Sequence, residues 1–311
     1  MTGMVLDLSE DAREFGRQAL RAFEAAGGDQ LVQQAEEDPA KPGFRESLVG
    51  PILAGLGAWE LDPRSDADGL EAAAALCRSA GYWAVPYPVA ERLAAPTDLD
   101  VDGLVVVADT RPSAALAGLE SRWAAVTLDG GRAHVTGHAA CGPAFVTELQ
   151  LAAIDQNGAG DIALALALQC WTLLGMLDRA IELTVAHVSL RKQFGQSLSG
   201  FQSVQFQLTD AEVERSGLDI LAKYTLWSIG SGAPEALDDA LALRMSAIEA
   251  AEVVFRVCHQ LHGAVGFCDE TTLSWLSRYS QPLRRLPLGL SATRDLLTRR
   301  VGGAGLTGLF A

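Results

Sequence analysis

The chain has 311 residues, 24 Lys plus Arg against 39 Asp plus Glu and a formal charge of -15, with 49% hydrophobic residues and 6% aromatics. So acidic a chain lacks the clustered basic surface that neutralising nucleic-acid phosphates demands, so no nucleic-acid partner is expected. The apolar content excludes general disorder, and the length suits about two domains at ~100–200 residues each.

The opening stretch MTGMVLDLSEDARE is acidic and lacks the basic start and apolar run of an export signal. Asp7 followed three residues later by Glu10 offers a capping box for a helix whose apolar positions Ala12, Phe15, Ala19, Leu20 and Phe23 recur at helical spacing up to Gly27-Gly28. Ala- and Leu-rich segments broken by Gly and Pro continue to Ala94, so residues 1–95 are expected to form an N-terminal helical lobe. Composition shifts after Pro96. The runs Leu104–Asp109, Trp123–Gly137 and Thr147–Asp155 are short and β-rich, and Asp129-Gly130-Gly131 supplies turn residues for a hairpin, giving a small β segment over 96–160.

From Asp161 onward long helical patterns dominate: about 161–190, about 201–228, and a third that starts near Pro234 and runs to about Gly263, with shorter ones after Asp269 and Ser291. Several long helices in succession predict an antiparallel bundle over 161–311. The most apolar run, Ile162–Leu177, is shorter than the ~20 residues of a membrane span and meets Asp178, Arg179 and Glu182 at once, which predicts a buried core helix and no membrane partner. Cys77, Cys141, Cys170, Cys258 and Cys268 are scattered without a CxxC pair, as expected of reduced thiols in a cytoplasmic protein. The fold class expected is mainly α, with a helical lobe, a reduced central β segment and a C-terminal helical bundle.

Phosphate-loop and strand-linked GxGxxG signatures are absent from the sequence, and neither His134 with His138 nor His259 with His262 has the companions of a metal site. Two stretches stand out. Arg191-Lys192-Gln193-Phe194-Gly195-Gln196, followed by Leu198-Ser199-Gly200-Phe201-Gln202, lies between two bundle helices. An arginine there presents a fork of donors matched to two phosphate oxygens. Downstream, Gln260-Leu261-His262-Gly263-Ala264-Val265-Gly266-Phe267 puts two glycines at a helix end, where backbone can approach a planar or anionic ligand closely. Each alone also reads as a charged helix end or a helix C-cap; together, across one helical hairpin, they are more specific.

The segment RKQFGQSLSGFQSVQFQLTDAEVE, the helical pair after it and HQLHGAVGF resemble the C-terminal domain of the acyl-CoA dehydrogenase family, closely over roughly 165–280 and in order of parts elsewhere. The resemblance implies FAD shared between subunits, with one subunit's bundle gripping the diphosphate side of a neighbour's flavin. It carries those contacts onto Arg191, Phe194 and Gln202, and onto Gln260 and the backbone near Gly263.

The family also needs a carboxylate beside the flavin to take the α-proton of a thioester. One usual place, the loop after the late helix, reads Gln281-Pro282-Leu283-Arg284-Arg285-Leu286-Pro287-Leu288-Gly289, without an acid; the other falls near Ala165. No catalytic residue is therefore assigned. Asp161, one turn away, is the acid a shifted register could use, although an N-cap or first-turn role suits it better; Asp269 and Glu270 read as caps of the next helix.

The missing base and short β segment resemble the smaller subunits of actinobacterial heteromeric enzymes. In those, a longer homologue completes an α2β2 complex acting on bulky, notably steroid-derived, acyl-CoA substrates. Two other readings stay open: a self-sufficient homodimer with its base relocated to Asp161, and a flavin-free interaction subunit.

Overall fold

Small residues decide how the helices of the first third meet. The computed structural model describes residues 7–38, 41–139 and 142–304. Its first five helices are α1 (Glu10–Ala25), α2 (Gln30–Glu37), α3 (Phe44–Gly55), α4 (Ala67–Tyr82) and α5 (Val89–Leu93). The cap of α1 is Ser9, whose side chain accepts from the Ala12 N–H at 3.3 Å. Asp7, expected in that role, instead reaches across to Lys223 at 2.8 Å. Helix α4 is so rich in alanine that Ala73, Ala74, Ala75, Leu76 and Cys77 are all buried.

The sheet runs β1 (Gly103–Val107), β2 (Ser113–Ala115), β3 (Trp123–Thr127), β4 (Gly131–His138) and β5 (Val146–Asn157), in spatial order β1-β3-β4-β5-β2. The expected hairpin joins β3 to β4 in antiparallel register, Val126 opposite Arg132, through Gly130 at φ +95°. Strand β1 pairs parallel to β3, and the three-residue β2, absent from the sequence expectation, closes the far edge against β5.

The rest is helical: α6 (Ala159–Leu190), the two-residue strands β6 (Lys192–Gln193) and β7 (Gln196–Ser197), α7 (Gln202–Gly230), α8 (Ala236–His262), α9 (Thr272–Arg285) and α10 (Leu290–Ala304). Pro234 lies in the turn before α8 and not in its first turn. Among the described residues α6 alone is long and apolar enough to cross a membrane, and 83% of its most apolar window is buried in the protein. Cys77, Cys170 and Cys258 are buried free thiols and Cys268 is an exposed one; Cys141 lies outside the described residues.

Helices α4 and α6 touch backbone to backbone. A Cβ on Gly81 would sit 1.8 Å from the Thr172 carbonyl oxygen, and one on Gly175 would sit 1.9 Å from that of Arg78. Only glycine allows that approach. Arg78 then pairs with Asp178 of α6 and Asp219 of α7, each at 2.7 Å, tying three helices together. One hydrophobic cluster runs from Phe23 and Leu76 through Val105 and Ala125 to Leu174, Val254 and Leu276, so lobe, sheet and bundle share a core. Gly175→Ala is expected to destabilise the fold by about 3 kcal/mol, at the upper end of overpacking costs, read as a lower urea midpoint with an unchanged slope.

Candidate functional site

The C-terminus of α6 and the start of α7 meet in a two-residue hairpin. Lys192 pairs with Ser197 and Gln193 with Gln196, leaving Phe194 and Gly195 at the turn with φ of +52° and +83°. Two consecutive positive φ angles are the mark of a type I′ turn, which suits Gly195 and strains Phe194. The strained residue is 91% exposed, its ring edge-on to Phe201 at 6.3 Å. A bulky aromatic held in a costly conformation and aimed at solvent is a residue presented for contact.

Arg191 stands immediately before this turn. Its backbone is fixed on both sides, with its N–H donating to the His187 carbonyl at 2.9 Å and its carbonyl accepting from the Leu198 N–H at 2.8 Å. Its side chain is exposed, and among the described residues no carboxylate lies within ion-pair distance of it. Most arginines of this acidic chain are paired, as Arg45, Arg64, Arg78, Arg132, Arg179 and Arg215 are. Gln202 is exposed in the first turn of α7.

Helix α8 ends at the same place. Gly263 caps it at φ 66° and ψ -149°, a combination essentially restricted to glycine, and nothing lies within 4 Å of where its Cβ would be. Gln260 is exposed one turn earlier, on the same face as the exposed, unpaired Arg256. The rings of His187 from α6 and His262 from α8 stack at 4.3 Å and 21°, so the two motifs share one end of the bundle. The structure thus gathers Arg191, Phe194, Gln202, Gln260 and Gly263 on an open surface. A forked cation without an acid, an outward aromatic and a backbone free to be approached suit the diphosphate and ring of a dinucleotide.

The positions where the family resemblance would place a base look different. Ala165 is packed into the cluster of Leu104, Val126, Ile162 and Leu241. Asp161 is 5% exposed and held between Arg132 at 2.5 Å and Arg64 at 2.8 Å, with Arg132 also gripping Asp98 at 2.6 Å. The hydrogen bond from Arg132 holds the Asp98 carboxyl below the usual carboxylate range. Asp161 is therefore one corner of a buried ion cluster that fastens α6 to β4 and to the lobe. The stretch Gln281–Gly289 finishes α9 and turns back over Arg244, a buried arginine that donates to the carbonyls of Leu283 at 3.0 Å and Leu288 at 2.8 Å, and to that of Leu286.

Between lobe, sheet and bundle lies a cavity of ≈ 60 Å³, lined by Val89, Glu91, Gln169, Thr172, Tyr279 and Leu283 among others. It has room for a few waters. Arg45 closes one side by donating to the Tyr279 hydroxyl at 3.1 Å and to Glu36 at 2.7 Å while lying over the Phe145 ring at 4.5 Å. Glu91 is the acid facing this cavity. It accepts from Gln169 Nε2 at 2.9 Å, no cation among the described residues pairs with it, and burial pushes its carboxyl up from the ordinary range. Sequence reading missed it, since VAERL reads as an unremarkable helical turn and only the tertiary fold brings Gln169 to it. Among the described residues no group of three His, Cys, Asp or Glu side chains converges to hold a metal.

Residues 164–287 match the model of the acyl-CoA dehydrogenase C-terminal domain. Acyl-CoA dehydrogenase FadE28 of Mycobacterium tuberculosis is 34% identical over 139 residues, 44% of this chain and 40% of that protein. (R)-benzylsuccinyl-CoA dehydrogenase of Thauera aromatica is 29% identical over 40% of this chain and 30% of its own length. The chain thus spans less than half the length of these curated relatives. Solved structures agree over nearly the whole chain. A variant of the Tcur3481-Tcur3483 steroid ACAD superposes with TM-score 0.79 at 19% identity over 97% of this chain and 100% of that one. The ChsE4-ChsE5 complex from Mycobacterium tuberculosis gives 0.75 at 18% over 98% and 100%. The FAD complex of PigA gives 0.72 at 15% over 97% and 100%. At these identities the likenesses establish the fold. The chain thus has the fold of these structures, and its residues 164–287 form a domain similar to the C-terminal domain of acyl-CoA dehydrogenases.

Proposed function

We propose that this chain is the base-less subunit of a heteromeric, FAD-dependent acyl-CoA dehydrogenase, paired with a longer homologue in an α2β2 complex in the cytoplasm. The observation that carries the reading is the contrast between its two candidate sites. The bundle end is open and bears an Arg191 that no carboxylate of the described residues pairs, whereas the cavity between lobe, sheet and bundle measures ≈ 60 Å³. In this reading Arg191 forks onto the FAD diphosphate, Phe194 covers it, Gln202 and Gln260 hydrogen-bond beside it, and Gly263 lets backbone come close. Bound FAD supplies the acceptor for the hydride leaving the β-carbon of the thioester. The α-proton goes to an acid of the partner, because Asp161 is committed to Arg132 and Arg64. A bulky, steroid-like acyl group is supported by likeness to the steroid ACAD alone.

A self-sufficient enzyme, the second reading, is favoured by one observation: Glu91, not Asp161, is the acid that faces the cavity. A flavin-free interaction subunit is the third.

Coexpression with the longer homologue is expected to yield a yellow complex that oxidises acyl-CoA, while the chain alone holds no stoichiometric flavin. Flavin absorbance and turnover of the chain by itself would overturn the proposal. In the complex, Arg191→Ala is expected to weaken FAD retention by about ten- to a hundredfold, the worth of a charge-assisted hydrogen bond at ~1.5–3 kcal/mol; unchanged retention would favour the flavin-free reading. Asp161→Asn uncouples a buried pair and is expected to cost about 3 kcal/mol of stability while turnover per bound flavin stays the same. Loss of turnover in a folded Asp161→Asn or Glu91→Gln complex would return the base to this chain.

A further inference from the structure

The open bundle end is floored by imidazoles. His187 lies one turn before Arg191, His262 lies immediately before Gly263, and their rings stack at 4.3 Å. A third, His259, stacks on Phe267 at 4.3 Å, and its Nδ1 is buried without a partner. Two neutral imidazoles can lie face to face, but two imidazolium ions at that distance repel strongly, so the pair takes up one proton and resists a second. His262 Nδ1 is 2.9 Å from the Cys258 carbonyl oxygen, which can only accept, so Nδ1 carries the hydrogen and Nε2 is the atom open to a proton.

Resting on the reading of this bundle end as a dinucleotide diphosphate site, we propose that the His187–His262 pair is a proton-linked part of it: docking of the diphosphate beside Arg191 draws one proton onto the pair. The charges that face the two rings are all positive or able to become so. Arg191 acts on His187 from the end of α6, and His259 acts on His262 from one turn back along α8. Arg284 on α9 acts in turn on His259. No carboxylate of the described residues acts on either ring of the pair. Burial, then Arg191, lowers the His187 pKa; burial, then the neighbouring imidazoles, lowers that of His262 against its bond to the Cys258 carbonyl. Both shifts favour the neutral pair in the free chain. Two diphosphate charges placed on Arg191 offset its repulsion and attract a proton from the same side. By linkage, what raises the affinity for a proton is itself bound more tightly when the proton is present. His187 and His262 are positioning residues in this scheme, since they act on the ligand through the field around Arg191.

FAD is the suitable probe, because its bridged diphosphate lacks the second ionisation, near pH ~6, of a phosphate monoester. NMR titration of the imidazole resonances in the complex with the longer homologue, with and without FAD, is expected to show one member of the pair rising by about one pH unit on binding. Equivalently, FAD affinity, followed by flavin fluorescence, tightens about tenfold between pH 8 and 5.5. The double variant His187→Phe with His262→Phe keeps the ring stack but cannot titrate, and its affinity is expected to be flat across that range. Should it fail to fold, His262→Gln serves in its place, and the wild-type titration stands alone in any case. A wild-type affinity independent of pH, or a pH dependence that survives in the folded double variant, overturns the inference while leaving the dinucleotide site intact. Absence of FAD binding at every pH, both to the chain and to its complex with the longer homologue, overturns both.

Discussion

Helix α6 is the member on which the other parts are hung. Its 32 residues span about 48 Å at the α-helical rise, from the ion cluster at Asp161 to the exposed Arg191. Along the way it meets α4 at a glycine crossing, packs against the sheet, and supplies a buried face to α7, α8 and α9. A helix seated this tightly has no freedom to turn or slide. The position of Arg191 is therefore fixed by packing that begins far away at Gly81, Gly175 and the clamp on Asp161. Moving any of these moves the bundle end.

Charge is distributed with the same economy. A chain with a formal charge of -15 can neutralise nearly any arginine it exposes, and here Arg78, Arg132, Arg179 and Arg215 each have two acids or more within reach. Among the described residues Arg191, Lys192 and Arg256 are left without a carboxylate, toward the ends of α6 and α8 where three histidines have lowered pKa values. The energetic consequence is a local positive field on a protein that is otherwise acidic, which focuses an anion on one end of one bundle.

What could be read from the sequence was what is encoded locally. The helix periodicities, the Asp129-Gly130-Gly131 hairpin and the two motifs around Arg191 and Gly263 each lie within a short window, and the structure has a helix end or a turn at each. The capping box at Asp7 failed because the helix starts two residues later with Ser9 as its cap, the Ser9 N–H donates to Glu71 at 2.7 Å, and Asp7 pairs with Lys223. Strand β2 has three residues and no period to detect, and the parallel pairing of β1 with β3 depends on a crossover no window contains. The ion cluster around Asp161 joins residues 64, 98, 132 and 161, and the Glu91–Gln169 bond joins two helices 78 residues apart, so both are products of the tertiary fold.

These long-range contacts also separate the chain's two possible roles. A cleft that takes an acyl group must stay open at the cost of unfilled space, whereas an ordinary interior packs to crystal-like density. Here Arg45, Tyr279, Glu36 and Phe145 knit one side shut, Arg244 draws the Leu286–Gly289 turn inward through three carbonyls, and Leu283 and Leu286 fill the remaining wall. Each of these contacts stabilises a closed interior. The bundle end shows the reverse: Phe194 is kept in a strained conformation and almost fully exposed, and Arg191 forgoes an ion pair that the chain's many acids could have provided. Stability is thus gained around the small cavity and forgone at the bundle end, and the proposed division of roles rests on that contrast.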